Sequence, residues 1–266
     1  MPDIDNRKAL LEVDDVTIKF GGLTALDGVT FDIKEGEILG LIGPNGAGKT
    51  TCFNVMTGVY QATSGHVRFN GTTVRKLPRH KITRLGMART FQNIRLFKSM
   101  TALENVMVGA DTHSKVGLFR ALFRTPVHRK TESESRARAL ELLKFVGVDG
   151  RADELATNLS YGDQRRVEIA RAMATNPKLL CLDEPAAGFN PAEKQRLMEL
   201  IRKVRDQGYT VLLIEHDMRL VMGVTDRIVV LEFGRKIADG TPAEIRDNPA
   251  VIAAYLGVEE DDDAAS

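Results

Sequence analysis

The residues best suited to chemistry lie in a glycine-rich segment near the start of the chain. Residues 43–50 read GPNGAGKT and satisfy G-x-x-x-x-G-K-[ST], between an apolar run that predicts a buried strand and a segment that predicts a helix. A chance glycine-rich turn would lack these flanking elements. Lys49 would supply a charge to the β- and γ-phosphates of a nucleotide, Thr50 a hydroxyl ligand to Mg²⁺, and Thr51 a hydrogen bond to the α-phosphate. The candidate nucleotide-binding residues are Gly43, Pro44, Asn45, Gly46, Ala47, Gly48, Lys49, Thr50 and Thr51.

Two adjacent carboxylates form a second candidate group. Asp183 and Glu184 directly follow the apolar run at residues 179–182, which predicts another buried strand. A phosphate-binding loop needs a carboxylate near its Mg²⁺ ion, and Asp183 is the candidate. Glu184 could then polarise a water molecule for attack on the γ-phosphate. Without the loop at residues 43–50, the same residues would read equally well as a strand-ending turn.

Composition is that of an ordinary globular protein and excludes several classes. The 266 residues are 43% hydrophobic and 27% charged, with a formal net charge of +1, so a disordered, collagen-like or coiled-coil chain is excluded. No apolar run is long enough to span a bilayer. The two cysteines form no CxxC pair and are expected to be reduced thiols. Because no basic stripe with interleaved aromatic residues is present, the sequence predicts no nucleic-acid partner.

The order of predicted elements divides the chain into three parts. Strands are predicted over residues 11–20, 28–33, 38–42, 65–71 and 89–91 in the first third. Capping-box patterns, T-x-x-E, at Thr101 and Thr131 predict two helices that begin there in the middle third, and Ser160 predicts the N-cap of a third. In the last third, Asn190 predicts the N-cap of a helix, and strands are predicted over residues 178–182, 210–214 and 227–231. This order predicts a nucleotide-binding α/β core that carries a smaller helical lobe.

Four further motifs make the chain resemble the ATP-binding-cassette (ABC) ATPases. Residues 159–166 read LSYGDQRR and resemble the LSGGQ signature of that family, with Ser160 lying 23 residues before Asp183 as the family has it. Gln92 resembles the glutamine of the Q-loop, the segment that joins core and helical lobe. His216 resembles the switch histidine, and Phe20 the aromatic residue that stacks on adenine. Taken singly, Gln92 could be a surface amide, His216 a helix-start residue and Phe20 a core residue.

The resemblance implies a fold and a division of the chain. The fold is a P-loop NTPase (RecA-like) core with an N-terminal antiparallel β subdomain and an inserted α-helical subdomain. One ABC ATPase domain is expected over residues 9–257, with the core at about 9–90 and 175–245 and the helical subdomain at about 91–174. Residues 258–266, which carry a run of five acids, are expected to be a disordered tail.

The resemblance also implies how the residues act. ATP and Mg²⁺ would be the cofactors, and two ATPase subunits would pair head to tail, so that Ser160 and Gly162 of one close over the γ-phosphate held by the other. Glu184 would be the general base, with Gln92 at the Mg²⁺ ion and the attacking water. His216 would contact the γ-phosphate and hold the base. Three positions depart from the usual pattern: Asp163 stands in place of the signature glutamine, Tyr161 in place of a glycine, and Asn190 where many relatives have aspartate.

Within the family, the finer resemblance is to the ATP-binding subunits of branched-chain amino-acid importers. It is carried by the segments FGGLTAL at residues 20–26, TFQN at 90–93, LSYG at 159–162 and EPAAG at 184–188. It implies a homologous ATPase subunit as hetero- or homodimer partner, two membrane permeases, a periplasmic solute-binding protein, and a location on the cytoplasmic face of the inner membrane. An importer of urea or another small amide remains an alternative. Residues 111–130 could lie near the permease or the membrane, or form a solvated edge.

Two rival classes are less well supported. A soluble ABC ATPase acting on DNA or ribosomes would have long coiled coils or a second cassette, whereas Lys49 and Ser160 are only 111 residues apart. A P-loop kinase or GTPase would leave the signature unexplained, and the N-K-x-D motif that reads guanine is absent from the sequence.

Overall fold

The computed structural model describes residues 7–110 and 126–255, and for residues 126–132 the backbone alone. The acidic segment at residues 258–266 and most of the segment at residues 111–130 lie outside the described residues. Among the helices that are described, none combines the length and apolar character needed to cross a membrane.

The strands form two sheets. In chain order they are β1 Ala9–Phe20, β2 Leu23–Lys34, β3 Ile38–Ile42, β4 Ser64–Phe69, β5 Thr72–Thr73, β6 Met87–Arg89, β7 Leu179–Asp183, β8 Thr210–Ile214, β9 Arg227–Glu232 and β10 Arg235–Gly240. An antiparallel sheet has the order β2-β1-β4-β5, and a six-stranded sheet has the order β10-β9-β3-β8-β7-β6. In the larger sheet β3, β6, β7, β8 and β9 are parallel, and only β10 pairs antiparallel. The short apolar runs of β3, β7 and β8 are wholly buried, as expected of a parallel sheet covered on both faces.

Helices cover the larger sheet and form the lobe. They are α1 Lys49–Met56, α2 Arg79–Leu85, α3 Ala102–Ala110, α4 Pro126–Phe145, α5 Tyr161–Ala174, α6 Pro191–Asp206, α7 Met218–Val224 and α8 Pro242–Arg246. Residues 249–255 are helical as well. The lobe consists of α3, α4 and α5, which lie between β6 and β7 in the chain and pack on one another.

Of the two helices predicted to begin at capping boxes, one begins where expected and the other does not. The predicted capping box at Thr101 is confirmed, because the Thr101 hydroxyl accepts from the Glu104 N–H at 3.1 Å and the Glu104 carboxylate accepts from the Thr101 N–H at 2.8 Å. The prediction at Thr131 is wrong: α4 begins at Pro126, and Thr131 lies inside it. Proline at the first helical turn is a strong helix start, since its missing N–H group would have no partner there. The strand predicted over residues 89–91 is β6, which ends at Arg89.

Two hydrophobic clusters lie on opposite faces of the larger sheet. One fills the space between the two sheets and includes Leu11, Leu39 and Phe53, and the other packs the lobe and α6 against residues such as Leu180 and Leu213. Both cysteines lie in this interior as free thiols, and burial raises the pKa of each to about 12. The sheet is therefore rigid on both faces, and the loops at the carboxyl ends of its strands are held in fixed relative positions.

Candidate nucleotide-binding and hydrolysis site

The loop between β3 and α1 takes a shape that requires glycine at particular points. Gly43 has a φ of 151°, and a Cβ atom there would lie 2.1 Å from the carbonyl oxygen of Leu231. Gly48 has a φ of 96°, and its Cβ atom would lie 2.9 Å from the carbonyl oxygen of Ala25. The loop thus curls tightly before α1 begins at Lys49, and no side chain among the described residues caps the N-terminus of that helix, so its first N–H groups are available to an anion.

The side chains of this loop are placed at different depths. Asn45, Gly46 and Thr50 are exposed, Gly48, Lys49 and Thr51 are half-buried, and Gly43, Pro44 and Ala47 are buried. The Lys49 ammonium donates to the carbonyl oxygens of Gly43 and Pro44 at 2.6 and 2.8 Å, which holds it across the mouth of the loop. Burial lowers the pKa of Lys49, while the nearby charge of Glu184 acts in the opposite direction. The loop therefore presents a positive charge and a helix N-terminus to the same space, which suits a polyphosphate.

Asp183 lies at the end of β7, held by an arginine that sequence reasoning missed. Its Oδ2 atom accepts a hydrogen bond from Arg89 Nη2 at 3.1 Å. Arg89 also donates to Asn54 Oδ1 at 2.8 Å, and its guanidinium lies 4.2 Å from the centre of the Phe53 ring. Burial raises the pKa of Asp183, and Arg89 lowers it. Arg89 thus ties the Asp183 carboxylate to the helix that follows the glycine-rich loop.

The donor set at this edge of the sheet fits Mg²⁺. Because β3 and β7 belong to one parallel sheet, Thr50 after β3 and Asp183 at the end of β7 lie at the same edge. They offer a hydroxyl and a carboxylate oxygen, and Gln92 offers an amide oxygen. Oxygen ligands of this kind are those that Mg²⁺ prefers, with the remaining positions taken by phosphate oxygens and water.

The three predicted catalytic residues meet at one carboxylate. Gln92 Nε2 donates to Glu184 Oε2 at 2.8 Å, although the two residues are 92 positions apart. His216 Nδ1 lies 3.9 Å from the same Glu184 oxygen. The backbone N–H of Glu184 donates to the carbonyl oxygen of Ile214 at 2.9 Å, which joins the end of β7 to the end of β8. Loops after β6, β7 and β8 therefore deliver an amide, a carboxylate and an imidazole to one point.

Ser160 and Gly162 lie in a different place. Ser160 is the N-cap of α5, as predicted: its Oγ atom accepts from the Asp163 N–H at 3.1 Å and donates to Asp163 Oδ2 at 2.8 Å. Asp163 also pairs with Arg166 and, at 3.6 Å, with Arg151. Ser160 and Gly162 line a groove of about 220 Å³ whose other walls come from the loop before α6 and from α6 itself, not from the glycine-rich loop.

Phe20 stands at the end of β1, 47% exposed. Its ring meets that of Tyr60 edge to face, with the centroids 5.3 Å apart. An exposed aromatic ring of this kind can stack on the face of an aromatic base. Tyr60 was not expected from the sequence, because nothing in the pattern of residues 54–64 marks it.

A buried ion pair, Arg165 with Glu168, connects the signature helix to the segment that bears Gln92. Arg165 is fully buried and donates to the carbonyl oxygens of Phe91 and Gln92 at 2.6 and 2.7 Å. It also donates to Glu168 at 2.8 Å. Sequence reasoning missed this pair, since two opposite charges three residues apart on a helix usually lie on its solvated face. Their only signal is their position next to the signature motif.

Comparison with known proteins identifies the family. The family described as "ABC transporter" matches residues 26–187, and that described as "Branched-chain amino acid ATP-binding cassette transporter" matches residues 235–261. The chain belongs to the ABC transporter family. It is an ABC ATPase subunit, in which hydrolysis of ATP is coupled to transport.

Individual ABC proteins match over nearly their whole length. The high-affinity branched-chain amino acid transport ATP-binding protein BraF of Pseudomonas aeruginosa is 51% identical over 251 residues, covering 94% of this chain and 98% of that one. The corresponding protein LivG of Escherichia coli is 50% identical over 249 residues, covering 93% and 98%. The crystal structure of the ADP conformation of MJ1267, an ATP-binding cassette of an ABC transporter, superposes with a TM-score of 0.82 at 32% identity, covering 94% and 99%. The predicted P-loop NTPase fold and the predicted family are thus confirmed.

Proposed function

We propose that this chain is the ATP-hydrolysing motor of an importer for branched-chain amino acids. The observation that carries the proposal is the convergence of Gln92 and His216 on Glu184, beside a loop built for phosphates. The solute is proposed from the relatives, since proteins named for branched-chain amino-acid transport are 50 and 51% identical over almost the full length. An importer of urea or another amide is the alternative, and no feature of this site favours it.

The residues divide the work of hydrolysis among them. The loop at residues 43–48 and Lys49 bind the phosphates through backbone N–H groups and one ammonium. Thr50, Asp183 and Gln92 would hold Mg²⁺, which when bound neutralises negative charge on the phosphate oxygens. Glu184 would accept a proton from the attacking water, and Gln92 would orient that water.

Other groups hold the nucleotide and the base in place. His216 would steady Glu184 and reach the γ-phosphate. Phe20 would stack on the adenine ring, with Tyr60 supporting it. No side chain forms a covalent bond to the phosphate in this scheme. The rate of hydrolysis therefore depends on how these groups position the reactants and stabilise the charge on the phosphate oxygens.

The site needs a second ATPase subunit for completion. Ser160 and Gly162 face a groove away from the glycine-rich loop of their own chain. The N-terminus of α5 nonetheless carries the partial positive charge that suits an anion. We infer that it closes over the γ-phosphate bound to a homologous partner, which is either a second copy or a related chain.

The other partners follow from an importer's task. The chain would lie at the cytoplasmic face of the inner membrane, held there by two permeases, which in turn receive solute from a periplasmic binding protein. A groove of about 400 Å³ between the core and the lobe is lined by Ile82, Phe97 and Val108, and it reaches Phe91 beside Gln92. We infer that a permease segment occupies this groove, because a movement of Gln92 at the ATP site would also move the adjacent Phe91 in the groove wall.

The variant Glu184→Gln tests the proposal. It keeps the side-chain shape but removes the base, so ATP should still bind while kcat falls by about 100-fold or more. Uptake of labelled leucine by cells whose only copy carries Glu184→Gln should be lost at unchanged protein level. Normal hydrolysis in the assembled transporter would refute the role of Glu184. Loss of ATP hydrolysis in the assembled transporter with leucine uptake unchanged would refute the substrate.

A further inference from the structure

Glu215 is a buried carboxylate at the centre of the site to which no role has been given so far. It lies between Ile214, the last residue of β8, and His216, and it is 1% exposed. Its Oε1 atom accepts from the Ala186 N–H at 2.8 Å, and its Oε2 atom accepts from the His216 N–H at 3.2 Å. Burial raises its pKa, and the N–H groups of Ala186, His216 and Asp217 counteract that effect. Among the described residues no lysine or arginine pairs with it, and His216 Nδ1 lies 3.9 Å away.

The two hydrogen bonds join the two loops that carry catalytic groups. Ala186 stands two residues after Glu184, in the turn that follows β7, and His216 begins the loop after β8. Glu215 therefore ties the turn bearing the base to the backbone of the switch histidine. His216 Nδ1 is 3.9 Å from a carboxylate oxygen of both Glu184 and Glu215, so a small shift of either loop changes its distance to the base.

We propose that Glu215 is a positioning residue for hydrolysis: its carboxylate clamps the backbones of Ala186 and His216 and so sets the distance between His216 and Glu184. The proposal rests on the roles given above to Glu184 and His216. A purely apolar side chain could fill the same volume, but it would leave the buried N–H of Ala186 and the partly buried N–H of His216 without these acceptors. That arrangement costs stability and frees the loops to move.

Even glutamine, which has the same shape as glutamate, should not be able to replace Glu215 in both hydrogen bonds. A carboxylate accepts with both oxygens, whereas a glutamine side chain offers one oxygen and one NH₂ group. In Glu215→Gln the NH₂ group must face the N–H of either Ala186 or His216, so one of the two bonds is replaced by a repulsive donor–donor contact. Because misplacing a reacting group by about 1 Å can cost 100-fold, a kcat reduced by about 10- to 100-fold is expected, with the KM for ATP changed by less than about threefold.

Glu37→Gln is the matched control. Glu37 is likewise a buried glutamate, 0% exposed, at the start of β3 and therefore at the opposite end of the sheet. Its Oε1 atom accepts from the Lys34 N–H at 2.6 Å, while its Oε2 atom accepts no hydrogen bond from the described residues. An amide can satisfy that pattern, so Glu37→Gln should hydrolyse ATP at the wild-type rate.

The experiment measures kcat and KM for ATP in the assembled transporter for Glu215→Gln, Glu37→Gln, Glu184→Gln and His216→Ala. The double variant Glu215→Gln/His216→Ala is included. If Glu215 acts through His216, Glu215→Gln should lower kcat by less than about twofold in the His216→Ala background. A wild-type kcat in Glu215→Gln, or an equal loss in both backgrounds, would overturn the inference. A wild-type kcat in Glu184→Gln would instead overturn the proposed role of Glu184 as the base, on which this inference rests.

Hydrogen exchange on the wild-type chain supplies a test that needs no variant to fold. The amides of Ala186 and His216 should exchange slowly although they lie in loops, because each donates to a buried carboxylate. Rapid exchange at both amides would show that the clamp does not exist and would overturn the inference by itself.

Discussion

At Glu184 the backbone has a φ of +44°, in the left-handed region that residues with side chains seldom adopt. The position is held from two sides: its N–H donates to Ile214, and its carboxylate accepts from Gln92. The sharp turn directs the side chain away from the strand it follows and into the space shared with His216. This backbone conformation costs about 1 kcal/mol for any residue other than glycine.

The protein with glycine at position 184 should therefore be more stable than the protein with alanine there. This is the reverse of the order usually found when the two residues are exchanged. We expect the unfolding free energy of Glu184→Gly to exceed that of Glu184→Ala by about 1 kcal/mol, measured by urea denaturation without nucleotide. Both variants lack the base and its contact with Gln92, so the comparison isolates the backbone. An alanine variant as stable as the glycine variant would show that the turn relaxes.

Some residues of this site could be predicted from the sequence and others could not, for a physical reason. Residues 43–50 and the pair Asp183–Glu184 are contiguous motifs next to strands, so their chemistry can be read locally. The contact between Gln92 and Glu184 joins residues 92 positions apart, and only the family resemblance placed them together. Glu215 and Arg89 gave no signal, because their roles depend on burial and on contacts with groups that are distant in the sequence.

At the scale of elements, α5 is fixed to the segment after β6 by a buried pair of opposite charges. Arg165 lies within α5 and binds the carbonyl oxygens of Phe91 and Gln92, while Glu168 pairs with it and accepts from the N–H of Phe91 and that of Arg95 at 3.4 Å each. Burial raises the pKa of Glu168, and Arg165 lowers it. The helix and the segment are thus expected to move as one body.

Removing the arginine should cost far more stability than removing an exposed one. Arg165→Ala leaves Glu168 buried without its hydrogen-bonded cation and two carbonyl groups without a donor, which is expected to lower the unfolding free energy by about 3–5 kcal/mol. Arg151→Ala is the control, since Arg151 also pairs with a carboxylate but its side chain is 49% exposed. That change should stay within about 0.5 kcal/mol. If urea denaturation gave the same loss of unfolding free energy for Arg165→Ala and Arg151→Ala, the stabilising role of the buried pair would be contradicted.

The elements themselves were largely predictable, and the exceptions have local causes. Alternating or apolar runs gave the strands, and Ser160, Asn190 and Thr101 cap helices as expected. The start of α4 was misjudged because a T-x-x-E pattern is also tolerated inside a helix. Residues at 79–85 were not recognised as a helix, since seven residues with one buried side chain carry too little periodicity.

At the scale of the whole molecule, a charge network around the buried Glu37 joins the two sheets at the end opposite the nucleotide site. Arg227 on β9 pairs with Asp32 on β2 at 2.9 Å, with Asp239 on β10 at 3.0 Å and with Glu37 at 3.7 Å. Burial raises the pKa of Glu37 from 4.5 to about 7, despite the attraction of Arg227. The folded chain therefore holds a proton on Glu37 at a pH where the unfolded chain has lost it.

Stability should fall as the pH rises through this window. Between about pH 4.5 and 7 the folded state binds more protons than the unfolded state, so this group's contribution to the unfolding free energy declines by about 3 kcal/mol and is flat above about pH 8. Urea denaturation of Glu37→Gln should lack this decline. Parallel pH profiles for the variant and the wild type would show that Glu37 does not titrate in this range.

The bond between Arg165 and the carbonyl groups of Phe91 and Gln92 also limits how such proteins can be recombined. A chimera that exchanges α3 to α5 between two relatives, with crossovers placed after Gln92 and before β7, would separate the guanidinium from the backbone it evolved to hold. Moving the first crossover upstream of Phe91 would transfer donor and acceptors together. The module that can be exchanged intact therefore runs from Phe91 to the end of α5.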